Sequence, residues 1–150
     1  MKNLSDELML GDIFATSGGK PKRVTHNTCI SLALSSWQID AFNKPVQLDI
    51  PTLELNGFVL IVKVVYAQYL KRITKCGDTY DVIITLDEKG NPCHVHIWKN
   101  SDDPAKAERL VSFSNVLYVH QLQNLMRICE LGDEANGFKV KGLNDKNLMP

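Results

Sequence analysis

Residues 80–98 read Tyr80-Asp81-Val82-Ile83-Ile84-Thr85-Leu86, then Asp87-Glu88-Lys89-Gly90-Asn91-Pro92, then Cys93-His94-Val95-His96-Ile97-Trp98. The outer segments are rich in β-branched and aromatic side chains, which suit a pleated, half-buried surface. The middle segment carries Asp, Gly, Asn and Pro, the residues that supply turn backbone conformations and local side-chain bonds. Together they predict a β-hairpin, and with it an antiparallel sheet.

Working outward, Phe58–Ile73 is rich in Val, Ile and Tyr without helical spacing. It reads as one or two strands, closed by a turn at Lys75-Cys76-Gly77-Asp78. Val46–Ile50 reads as a short strand stopped by Pro51, and Thr52–Asn56 as a short helical turn ended by Gly57. Leu8–Phe14 and Lys22–Leu34 read as strands flanking the turn Ser17-Gly18-Gly19-Lys20-Pro21. Leu110–Phe113 and Phe138–Val140 read as further short strands. From Asn115 to Leu131, Val119, Leu122, Leu125, Met126 and Cys129 recur at helical spacing. Ser114 or Asn115 is the expected cap and Gly132 the expected stop. The expectation is an α+β fold with an antiparallel, SH3-like or barrel-like sheet, one short central helix and a packed C-terminal helix.

The 150 residues fit a single domain, with an ordered core over 8–142 and loose ends at 1–7 and 143–150. Seventeen basic and seventeen acidic residues give zero formal charge, which argues against general duplex-DNA binding. Met1–Gly11 has one Lys and no long apolar stretch, so no secretory leader is expected. No apolar run approaches the roughly 20 residues of a membrane span. Cys29, Cys76, Cys93 and Cys129 form no C-x-x-C pair. Four free thiols in a reducing cytoplasm are the expectation.

Three constellations carry candidate chemistry. On a strand, His94, His96 and Trp98 share one face, and two imidazoles at i and i+2 are candidate metal ligands, with zinc the candidate ion. His120 or His26 is the candidate third ligand, and a metal-dependent hydrolase is the enzymatic reading. The structural alternative is an amphipathic, half-exposed strand face. Cys93 or Cys29 beside a His is a candidate nucleophile–base pair, against the plainer reading of buried structural thiols. Lys20, Lys22 and Arg23, and separately Lys63, Lys71, Arg72 and Lys75, form small basic clusters. With Trp37, Tyr66 and Tyr69 they are candidates to line a groove for a small anionic ligand or a single strand.

The closing helix is the least ordinary segment. His120, Gln121, Gln123, Asn124 and Arg127 lie off its apolar stripe, where a solvated face would carry Lys and Glu. Together with Tyr118 and Trp37 they form the candidate ligand- or partner-binding set. The structural alternative is that these side chains tie the helix to the sheet or cap loops.

Leu8, Gly11, Asp12 and Phe14, then Ile50, Pro51, Leu55, Asn56, Gly57 and Phe58, and above all Tyr118 through Leu125 (YVHQLQNL) resemble an uncharacterised family. Its members are small proteins of Bacteroidales bacteria and of their phages and mobile elements. The resemblance lends no catalytic residues. It implies a non-enzymatic accessory role, with counter-defence by sequestering a nucleotide-like signal or blocking a host protein as one form. An oligomeric structural adaptor is the further alternative.

Overall fold

The structure, a computed structural model, describes residues 11–15, 20–24, 44–63, 66–100, 104–114 and 118–143. The chain, read from sequence as one domain, divides into two compact units. One comprises Met1–Gln47 with Tyr118–Pro150, the other Leu48–Leu117. Each is taken by itself below.

The terminal unit holds three short antiparallel strands, β1 (Ile13–Ala15), β2 (Pro21–Arg23) and β3 (Lys44–Pro45), in the order β2-β1-β3. Among the described residues it also holds two helices, α2 (Val119–Ile128) and α3 (Gly132–Asn136). Ile13, Phe14, Val24, Val119, Leu122, Met126, Leu131, Ala135 and Phe138 are buried. Helix α2 is shorter than the sequence implies at both ends. Tyr118 is its N-cap, bridged to Gln47, and Val119 N–H donates to Val46 O at 2.8 Å. Ser114 lies in a strand and Asn115 outside the described residues.

The helix ends before Gly132. Glu130 takes φ +66°, Glu130 N–H donates to Arg127 O, and Leu131 N–H donates to Met126 O. Those two bonds are a Schellman stop, with Met126 and Leu131 both buried beneath it. Gly132 then opens α3 instead of ending α2. Phe138–Val140 forms no strand.

The central unit begins with α1 (Ile50–Leu55). Asp49 caps it by accepting Thr52 N–H at 2.9 Å, Pro51 sits in its first turn, and Gly57 at φ +85° turns the chain out. The residues read as a strand over Val46–Ile50 thus supply a one-residue bridge and a cap. Five antiparallel strands follow in sequence order. They are β4 (Val59–Lys63), β5 (Ala67–Lys75), β6 (Asp78–Leu86), β7 (Pro92–Asn100) and β8 (Glu108–Ser114). The hairpin over 80–98 forms as expected. Asp87 Oδ1 accepts the N–H groups of Lys89 and Asn91, both at 2.9 Å, and so holds its loop.

The sheet is open. Strands β4 and β8 lie at opposite ends of the order β4-β5-β6-β7-β8 and do not pair, so the barrel-like closure expected from sequence is corrected to an open meander. Closure needs a tilt and stagger that bring the first strand onto the last. A run of sequential hairpins supplies neighbour pairing only.

The β5–β6 turn places Cys76 at φ +53° and Gly77 at φ +84° between the paired residues Lys75 and Asp78. Positive φ at both central positions is the type I′ hairpin geometry. Cys76 is exposed there, at the turn that Lys75-Cys76-Gly77-Asp78 predicts. A Cβ on Gly77 would meet nothing within 4 Å, so Gly77→Ala is expected to cost about 1 kcal/mol from backbone strain alone. Cys76→Asn, which accepts left-handed φ more readily, is expected to raise stability. Urea denaturation of both variants checks the pair of signs.

Candidate functional site

Two polar assemblies were legible as candidates, and they behave differently. The first is the polar side of α2. Gln123 is fully buried. Its Oε1 accepts Ile13 N–H at 2.9 Å, and its Nε2 donates to Gly11 O and to Ala135 O, each at 2.8 Å. Both amide protons and the carbonyl oxygen are therefore engaged in holding β1 and α3 to α2. Arg127 ion-pairs with Asp12, which is itself wholly buried, and also donates to Asn124 Oδ1 (2.7 Å) and Asn136 Oδ1. Gln121 Oε1 accepts the Tyr118 N–H at 3.0 Å, the reach-back half of a capping box. His120 is buried, and its ring stacks at 6.1 Å from that of Tyr118. Arg23 donates to Gly11 O and Phe138 O, so this member of a basic cluster serves as an internal strap.

Gly11 sits at the centre of this assembly with φ +88°. A Cβ there would collide with the Asn136 side chain and lie 2.9 Å from Arg127 Nη2. The Gly-Asp pair of the opening segment is thus required by close approach as well as by backbone sign. Among the ligand-binding candidates on α2, Gln121, Gln123, Asn124 and Arg127 all spend hydrogen bonds on the chain itself. Trp37, His26 and Cys29 lie outside the described residues.

The second assembly is the half-exposed face of the central sheet. Register sets it out in rows across four strands. Gln68, Thr85, His94 and Ser114 stand side by side; so do Leu70, Ile83, His96 and Ser112; so do Arg72, Asp81, Trp98 and Arg109. The alternate residues Val82, Ile84, Val95 and Ile97 are fully buried, which is why the first set faces outward. In the third row Arg72 grips Asp81 with two bonds, at 2.8 and 3.1 Å, while Asn100 donates to the same carboxylate at 2.7 Å. These bonds, the Arg72 one foremost, hold Asp81 below the usual carboxylate range. Arg109 lies over the Trp98 ring at 5.9 Å.

At the first-row end a pocket of about 450 Å³ opens, lined by Tyr66, Thr85, Leu86, Asp87, Cys93, His94 and His96. A β-bulge builds it. Thr85 pairs with His94 but Leu86 pairs with Pro92, so Cys93 is the extra residue and joins His94 among the lining side chains. His94 and His96 are near-parallel, with centroids 6.5 Å apart and 13° between planes. Burial, then the charge of Arg109, then His94, push His96 below the ordinary histidine value. Burial pushes the Cys93 thiol up, Asp87 adds to the shift, and Cys93 Sγ donates to Thr85 O at 3.5 Å. A protonated thiol that donates to a backbone carbonyl is a poor nucleophile, which favours the structural reading of Cys93. Among the described residues no group of three or more His, Cys, Asp or Glu converges as a metal site. His94 and His96 supply two ligands at most from that set.

Sequence alone placed His94, His96 and Trp98 together. It missed Thr85, Leu86 and Asp87, whose membership depends on the bulge and the register. It also missed the Gly11–Gln123 and Asp12–Arg127 ties, which span more than a hundred residues and leave no local signal.

Removing the Gln123 amide takes the acceptor from the buried Ile13 N–H and one donor each from Gly11 O and Ala135 O, which keep Arg23 and Phe138 N–H. Gln123→Ala is expected to lower unfolding free energy by about 2 kcal/mol or more. Gln123→Glu keeps an acceptor for Ile13 but turns an oxygen on two carbonyls. Its loss should be as large at neutral pH and partly recover as the carboxyl protonates in acid, read by urea denaturation across pH. His96 gives a second expectation. Its folded value is depressed, so protonation favours the unfolded chain. The stability linked to the neutral imidazole is complete above the ordinary histidine value and is lost as pH falls towards the depressed one. NMR titration should place the His96 midpoint low, and Arg109→Gln should raise it.

Compared with protein-family models, curated proteins and solved structures, the chain matches none.

Proposed function

We propose that this chain is a non-enzymatic binding protein that works through the half-exposed face of its central sheet. The row geometry carries this reading. Imidazole, indole, guanidinium, hydroxyl and aliphatic groups stand in register beside a pocket. A concave, partly apolar site with a few convergent polar groups is the usual form of a ligand site. The polar groups of α2, by contrast, are occupied within the fold. We place the protein in the cytoplasm of a bacterium or its phage, as an accessory that sequesters a nucleotide-like signal or blocks a host protein. The resemblance of residues 118–125 supports that setting. No helix among the described residues is long and apolar enough to cross a membrane.

A second reading, the oligomeric adaptor, is favoured by one observation. Strand β4 is a sheet edge on which Val59, Leu60, Ile61 and Val62 are all exposed, from 59% down to 41%. Open apolar edges invite strand addition. The metal-dependent hydrolase has less support, because the described residues bring only the His94–His96 pair to such a site.

The purified chain, incubated with cyclic dinucleotides and ADP-ribose-type compounds and then desalted, is expected to retain one of them. His96→Glu, at unchanged circular dichroism, is expected to abolish the retention. Retention of none overturns sequestration, and retention indifferent to His96→Glu moves the site off this face. A monomeric solution mass overturns the adaptor reading.

A further inference from the structure

We propose that the pocket at the His94 end of the sheet takes a flat, N–H-bearing heteroaromatic ring of the nucleobase class, stacked against the imidazoles of His94 and His96 and hydrogen-bonded to Asp87. The proposal rests on the sheet face being the binding face and deepens it by naming the ligand class.

Ring spacing is the first ground. Residues i and i+2 of a strand stand about 6.7 Å apart along its axis. His94 and His96 keep nearly that distance, 6.5 Å, with only 13° between their planes. Aromatic pairs in contact have centroids from about 4.5 to 7 Å apart, so the two imidazoles are near the outer limit of any interaction with each other. Near-parallel rings set at the strand repeat offer imidazole surface against which a flat heteroaromatic ring packs at about 3.5 Å.

Size is the second ground. A pocket of about 450 Å³ lies at the small end of ligand sites, suited to one ring system with a short substituent. Leu86 supplies apolar wall and Tyr66 a second aromatic surface, 46% exposed.

Charge is the third. Asp87 Oδ1 is spent on Lys89 and Asn91, and the carboxylate is held below its usual range by those N–H groups, that of Asn91 first. At neutral pH it is an anion, and its oxygens, which the Asn91 side chain also reaches, accept more than one donor each. His96 is held neutral. Among the described lining residues a phosphate meets a carboxylate and no cation, whereas a ring N–H or exocyclic amine meets a charged acceptor. Two cations of this face, Arg72 and Arg109, stand in the row one step beyond His96, about 6.7 Å further along β7. An anionic substituent would extend towards them, outside the pocket.

Adenosine, guanosine, purine riboside (which lacks the exocyclic amine) and inorganic phosphate serve as probes in NMR titrations of the whole chain. The expected result is saturable shifts of the His94, His96 and Tyr66 ring signals with adenosine or guanosine, weaker binding of purine riboside, and no shift with phosphate. His94→Ala should weaken nucleoside binding about tenfold or more, the scale of one base–aromatic stack. Asp87→Asn, which keeps an acceptor for the loop, should abolish the preference for the amine-bearing nucleosides. Shifts produced by phosphate alone, or no shift with any nucleoside, overturn the ligand class. The binding face itself then stands or falls separately, on whether retention in the desalting experiment needs His96.

Discussion

The terminal unit depends on one buried amide. Gln123 reaches from the middle of α2 to Gly11, Ile13 and Ala135, accepting the Ile13 N–H and adding a donor to the Gly11 and Ala135 carbonyls, which Arg23 and Phe138 also reach. A strand of three residues such as β1 has little cohesion of its own. Its register against β2 and β3 supplies a few bonds, and the amide supplies its link to the helix. The Asp12–Arg127 pair stands beside it, with the carboxylate fully buried. A buried ion pair contributes uncertain net stability but a large penalty when one partner is lost. The two ties therefore act more as a specification of which residues meet than as a reservoir of stability. They join positions separated by 110 to 115 residues, so the loop entropy of closing the chain must be overcome before they form.

This explains which parts of the fold could be read in advance. The 80–98 hairpin was legible because alternation, β-branching and turn chemistry are local and agree with one another. Helix α2 was legible from its stripe, but its ends were not. Gly132 looks like a stop, yet Glu130 accepts the left-handed conformation because Met126 and Leu131 are buried around the Schellman bonds. Barrel closure was an expectation about strands far apart in sequence, and nothing local in β4 or β8 reports whether they pair. The pocket was half-legible: period two places His94 with His96, while Asp87 and Cys93 join them through a bulge that alternation does not predict.

The same bonds join the opening and closing segments of the chain. Gly11 and Asp12 belong to the opening segment, and Gln121, Gln123 and Asn124 to the closing one. Gly11 O receives Gln123 Nε2, and a side chain at position 11 would strike Asn136. The two segments are halves of a single contact. Their residue types are dictated by hydrogen-bond capacity and close approach, without any need for a ligand.

That observation decides where binding chemistry is to be sought. An amide-rich helix face looks like a recognition surface when only its composition is known. Counting capacity reverses the inference, since Gln123 has both N–H groups and its oxygen committed inside the fold. Arg127 divides its guanidinium among Asp12, Asn124 and Asn136. The sheet face carries fewer amides and draws less attention as sequence. Its imidazoles are nevertheless half-exposed, its aromatic rings are spaced by the strand repeat, and Asp87 brings a carboxylate to the pocket lining. Unspent capacity in a partly enclosed place, more than polar content, distinguishes a site from a strut, and by that measure the His94–His96 end of the sheet outranks the closing helix.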